Sequence, residues 1–190
     1  MKTFCPFASA VVLIFALCMT AAHAAEKNNA RGCKAAFSSV YTDLKDDCPA
    51  SKPEGDDGDP THTCKSVGPY HAYIYYSALG THVQIDEGEK TVLRLPEQGH
   101  DETLKRKLEW RLADGKPFAV IYRVAQYTEK GLEQVGGSYM QDEHKKGELI
   151  VVRGLKEHSG LKEDMNPAKI KMANEKAQKF IDEGFCKLQK

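Results

Sequence analysis

Apolar and polar residues alternate most cleanly at Leu108, Trp110 and Leu112 against Lys107, Glu109 and Arg111. That period of two is the signature of a half-buried strand with one wet face. Asp114-Gly115 follows at once, the pair that supplies the positive backbone angles of a tight hairpin. Phe118 to Thr128 returns as the partner strand. Its β-branched and aromatic residues fall on both faces, which predicts a central position in a sheet. Upstream, Val40, Thr42 and Leu44 predict a first strand over 39–44. Further strands are expected at 62–67 and 70–77, divided by the turn signal Gly68-Pro69, then at 81–86 after Leu79-Gly80 and at 91–95 before Pro96. Lys130-Gly131 opens a turn into a weaker strand over 132–140, interrupted by Gly136-Gly137. Glu148 to Val152 reads as the last strand.

After Gly154 the period changes. Asn166-Pro167 reads as a helix start, with a capping side chain followed by proline in the first turn. Ile170, Ala173, Ala177, Phe180, Ile181 and Gly184 then share one helical face. Gly184 serves as the expected C-cap, which leaves Cys186 just beyond the helix. Many strands in succession and then one helix predict an α+β fold: mainly an antiparallel β meander, as a curved sheet or barrel-like, with one C-terminal amphipathic helix.

The first 24 residues follow the pattern of a secretory signal peptide. Lys2 gives the positive start, Phe7 to Ala22 the apolar run, and Ala22-His23-Ala24 the small residues of a cleavage site. The apolar run is short of the roughly 20 residues a membrane helix needs. Cys18 follows Leu17, where a lipoprotein peptidase requires a small residue, so a lipid anchor is not expected. Removing residues 1–24 from 190 leaves 166, enough for the single domain expected over 25–190, with 26 basic and 27 acidic residues. Such a balance argues against a nucleic-acid partner and gives no reason to expect a membrane surface after processing. The expected setting is the periplasm or the medium.

Four cysteines remain: Cys33, Cys48, Cys64 and Cys186. In an exported chain they read as disulfides, with three possible connectivities. The pairing adopted is Cys48–Cys64, which closes a loop rich in glycine and proline, and Cys33–Cys186, which ties the start of the mature chain to its final helix. No C-x2-C spacing supports zinc, and no C-x-x-C supports a redox pair.

Tyr41-Thr42-x-Leu44 ahead of Cys48 and Cys64, then Glu109-Trp110-Arg111 and Gly115-Lys116-Pro117-Phe118-Ala119, resembles a group of small uncharacterised exported proteins of proteobacteria. The resemblance spans roughly Tyr41 to Arg123 and implies a periplasmic setting and a β-rich fold, with no activity attached. Members of the group pair a cysteine in the last strand with the C-terminal one. Here Leu149 to Val152 lacks it, a departure from the group's pattern, and the partnership of Cys186 is transferred to Cys33.

Candidate chemistry is sparse. His71 and His82 fall on neighbouring expected strands and are the one histidine pair that suggests a metal, though zinc would need a further ligand. Glu54 to Asp59 holds oxygen donors but lacks the EF-hand register, and reads as a solvated acidic loop. Gly136-Gly137-Ser138-Tyr139 is not a nucleophile elbow. Tyr70, Tyr73, Tyr75 and Tyr76 cluster around His71 and Ile74, and tyrosine is enriched at interfaces. The leading expectation is a non-enzymatic binding module that contacts an unidentified protein or small ligand through Tyr70, His71, Tyr73, Tyr75 and His82, with no cofactor. The competing class is a small extracytoplasmic enzyme or metal-dependent protein built on His71 and His82. A further alternative is a lysozyme inhibitor: Gly137-Ser138-Tyr139 and Lys146-Gly147 resemble the Ser-Gly…Tyr and Lys-Gly elements of C-type lysozyme inhibitors, with a different order and spacing.

Overall fold

A computed structural model describes residues 33–51, 61–77, 80–132 and 140–189. Its organising unit is the hairpin of β6 (Lys107–Ala113) and β7 (Lys116–Tyr127). Asp114 and Gly115 turn it with φ of 49° and 77°, and Ala113 pairs with Lys116 across the turn. Only residues that tolerate left-handed backbone make so tight a connection. β7 lies between β6 and β8 (Lys145–Gly154), as its apolar residues on both faces require. β1 (Phe37–Asp43) and β9 (Lys162–Met165) complete a five-stranded antiparallel sheet in the order β1-β6-β7-β8-β9. A second antiparallel sheet runs β2 (His62–Thr63), β3 (Tyr70–Tyr76), β4 (Thr81–Glu87) and β5 (Lys90–Arg94). The fold is therefore α+β, with two stacked sheets rather than a closed barrel.

The sheets bury one core between them. Tyr70, Ala72, Ile74, Val83 and Ile85 of one face Leu108, Trp110, Val120, Tyr122 and Val151 of the other. Trp110 is fully buried, its ring stacked on Tyr70 at 6.3 Å and its Nε1–H donated to Thr42 Oγ1 at 2.9 Å. Buried Gln98 closes the end of this core. Its Nε2 donates to Tyr122 Oη at 2.6 Å, and its Oε1 accepts the Ala125 N–H at 2.9 Å. Those partners satisfy an amide that would otherwise be costly to bury.

A second core forms where α3 (Ala173–Leu188) packs on the outer face of the five-stranded sheet. Ala173, Ala177 and Ile181 meet Ala119, Ile121, Ile150 and Val152 there. The layers are thus sheet, sheet, helix. Two disulfides staple them: Cys48–Cys64 closes a 16-residue separation, and Cys33–Cys186 joins the segment before β1 to α3 across 153 residues. No helix among the described residues is long and apolar enough to cross a membrane.

Several local expectations are corrected. The face of β6 carrying Glu109 and Arg111 is not wet, because α3 covers it and both residues are buried. α3 begins at Ala173, seven residues after Asn166, whose side chain instead accepts the Ala168 N–H in a local turn. The helix runs through Gly184 and Cys186 to Leu188. β8 is followed by β9, so it is not the last strand. The strand expected at 62–67 is only two residues long. Leu132, the first residue of the strand expected over 132–140, ends a short helix, α2 (Glu129–Leu132), and 133–139 lie outside the described residues; α1 (His100–Leu104) carries no helical period long enough to signal itself. The expected signal peptide over 1–24, the expected acidic loop 54–59 and Gly136-Gly137-Ser138-Tyr139 lie outside the described residues.

Candidate binding face

Strand parity divides the tyrosine cluster. Tyr70, Ala72 and Ile74 point into the core, whereas His71, Tyr73 and Tyr75 occupy the opposite face of β3 and are half-buried. Their cross-strand partners on β4 are Asp86, Gln84 and His82, all on that same outer face. Four of the five expected contact residues are therefore brought together. Tyr70 is the exception: it is 5% exposed and belongs to the Trp110 core.

Register also decides the metal reading. His82 stands opposite Tyr75, and His71 stands opposite Asp86. The two histidines are four ladder positions apart, about 13 Å at the usual rise of a strand. That separation is too great for a shared ion. Among the described residues no three His, Cys, Asp or Glu side chains stand close enough to hold a metal.

Ring packing gives this face its rigidity. Tyr75 and His82 stack at 5.4 Å with planes 7° apart, and His71 and Tyr73 at 6.3 Å with planes 26° apart. Beside them runs a polar ladder: Arg94 Nη2 donates to Gln84 Oε1 at 3.0 Å, and Gln84 Nε2 to Asp86 Oδ1 at 3.1 Å. Rings fixed by their neighbours lose little further freedom when a partner docks, which favours binding. His82 is the least satisfied member. Its side chain is 11% exposed, and neither ring nitrogen has a hydrogen-bond partner among the described residues. Burial, with the nearby Arg94 charge, holds its pKa below the usual histidine range, against the pull of Glu97 at 3.7 Å.

A second polar assembly lies on the far side of the molecule; the sequence marks Glu109 and Arg111 as one face of β6 but does not show that they meet Asp182 and Gln178 of α3. Arg111 donates Nε and Nη2 to the two carboxylate oxygens of Asp182 on α3 at 3.2 and 2.5 Å, and Nη1 to Ser39 Oγ at 2.6 Å. Ser39 Oγ–H donates to Glu109 Oε1 at 2.5 Å, which also accepts Gln178 Nε2 at 2.7 Å. Glu109 then forms part of the lining of a groove of about 270 Å³ between α3 and the sheet, with Tyr41, Arg106, Lys107, Arg123 and Gln178. Burial and the Glu109 charge raise the Tyr41 pKa. The rim cations are already matched: Arg106 bonds Glu102 and Glu148, Arg123 bonds Glu148, and Lys107 pairs with Asp43. A groove whose charges are internally paired offers no net attraction to an ionic ligand. Its network serves to dock the helix.

Of the remaining described histidines, three pack against aromatic rings, and His144 places Nε2 3.9 Å from Glu143. His158 lies against Phe118 at 5.6 Å and Phe185 at 5.0 Å, and burial lowers its pKa. His62 and His100 flank Tyr76 at 5.7 and 4.7 Å, and His100 Nδ1 shares a 2.5 Å hydrogen bond with Thr81 Oγ1. Comparison with known proteins finds no matching family model, no similar curated protein and no similar solved structure.

Proposed function

We propose that this chain is a non-catalytic binding protein of the periplasm or the medium. Its contact surface is the outer face of the four-stranded sheet. The observation that carries the reading is the register of β3 and β4, which gathers His71, Tyr73, Tyr75 and His82 on one face while α3 occupies the far side of the molecule. Tyrosine rings braced by neighbours, with polar tips, suit a protein partner or a small polar ligand. Two disulfides and the leader-like first 24 residues support an oxidising compartment. Kinship with uncharacterised exported proteobacterial proteins is proposed on the 41–123 motifs alone, and it adds no activity. The metal-dependent alternative loses its support with the separation of His71 from His82.

Capture from periplasmic extract tests the reading, with the wild-type protein and the Tyr73→Ala, Tyr75→Ala double variant as paired baits. A partner retained by the wild type and lost by the variant is expected. Equal recovery by both would sink the assignment.

A further inference from the structure

The two edges of the five-stranded sheet are chemically unlike. β9 exposes Lys162, Glu163 and Asp164, charges that discourage a further strand from adding. β1 reads Phe-Ser-Ser-Val-Tyr-Thr-Asp, uncharged over its first six residues and paired with β6 in unbroken register over all seven. Such an edge is a template for another strand.

Hydrogen-bond parity shows which groups it offers. The ladder with β6 is flanked by the Asp114 N–H bond to Ala36 O and the Leu44 N–H bond to Arg106 O. Bonds to β6 therefore fall on the even-numbered residues, and Phe37, Ser39 and Tyr41 turn their N–H and C=O groups outward. Asp43 also faces out, but its N–H is taken by Asp47 Oδ2 and its carbonyl by the Asp47 N–H. The flanking side chains point the same way. Val40 on the inner face and Tyr41 on the outer face are 42% and 52% exposed, the only sequence neighbours among the exposed large hydrophobics of the described residues.

We propose that β1 pairs with β1 of a second copy of this chain, antiparallel about a two-fold axis at Val40. In that register Val40 faces Val40 as a pair without mutual hydrogen bonds. Ser39 and Tyr41 then exchange bonds with Tyr41 and Ser39 of the other copy, the parity the free groups require. The antiparallel direction brings the Lys34 end of each strand to the other copy's 44–47 turn. Lys34 and Asp46 are exposed and neither has an ion-pair partner among the described residues, but exposed Lys45 beside Asp46 has none either, so this end carries both signs and the mutual cover of Val40, not charge, sets the register. Two five-stranded sheets become one ten-stranded sheet, and both exposed apolar side chains acquire cover.

Sedimentation of the protein purified from the periplasm of an expressing bacterium tests this, over a wide range of concentration. A reversible monomer–dimer equilibrium is expected. Val40→Lys and Val40→Glu each place like charges across the axis and weaken the dimer by roughly tenfold or more. Mixing the two restores it, a rescue that variants damaged in folding could not give. Tyr41→Pro removes an outward donor without touching the bonds to β6, and is expected to sediment as a monomer with an unchanged far-UV spectrum. A wild type that stays monomeric at every concentration would overturn the proposal. So would a dimer indifferent to Val40→Lys, or a monomer that takes up a foreign extended segment at β1.

Discussion

Arg111 on β6 and Asp182 on α3 meet in a two-pronged pair beneath the helix, each less than a tenth exposed. A buried pair contributes little net stability when whole, because both charges have left water. Losing one partner strands the other. Asp182→Ala is therefore expected to destabilise the protein by about 3–5 kcal/mol in urea unfolding. Arg111→Met combined with Asp182→Leu is expected to recover only part of that loss, because buried Glu109, 3.9 Å from Arg111, then loses its nearest cation. A single variant within 1 kcal/mol of wild type would show that the pair does not hold the helix.

Stability should depend on pH through His62, His82 and His158. Burial lowers all three folded pKa values below the ordinary value near 6.5. As pH falls below about 6.5 the unfolded chain takes up protons that these folded rings refuse, so stability declines from there toward the lower folded values. The midpoint of thermal unfolding followed from pH 7.5 to 5 is expected to drop. His158→Phe, which suits the contact with Phe118 and Phe185, is expected to flatten the slope. A midpoint that stays level over that window in the wild type would contradict the assignment.

The two disulfides should contribute unequally. In the chain-entropy view the 16-residue closure of Cys48–Cys64 is worth about 3 kcal/mol, and the 153-residue closure of Cys33–Cys186 nearer 5. Replacing each pair by alanine and comparing unfolding midpoints checks the order. A larger loss on removing Cys48–Cys64 would show that native contacts around its loop, rather than chain entropy, set the balance.

The features legible in the sequence were those set by neighbouring residues. Asp114-Gly115 fixes its hairpin because the positive φ values belong to those two residues alone. Tyr73 and Tyr75 share a face because strand parity is local. What escaped depends on distant chain. Alternation at Glu109 and Arg111 says that two faces of β6 differ, but not that a helix from residues 173–188 will cover the polar one. The spacing of His71 and His82 depends on the connection between β3 and β4, which sets Tyr75 rather than His71 opposite His82. Asn166-Pro167 carries a capping signal that is spent on a turn, so the helix starts later. Both disulfide pairings match those adopted from the cysteine positions.

The most direct measurement is site-specific photo-cross-linking in cells that express the full chain, with the reactive residue placed at Tyr73 in one protein and at Lys179 of α3 in another. Tyr73 stands on the proposed contact face and Lys179 is exposed on the helix beyond the other sheet. A discrete adduct trapped at Tyr73 and absent at Lys179 is the expected result. An adduct at Lys179 with none at Tyr73 would contradict the binding face.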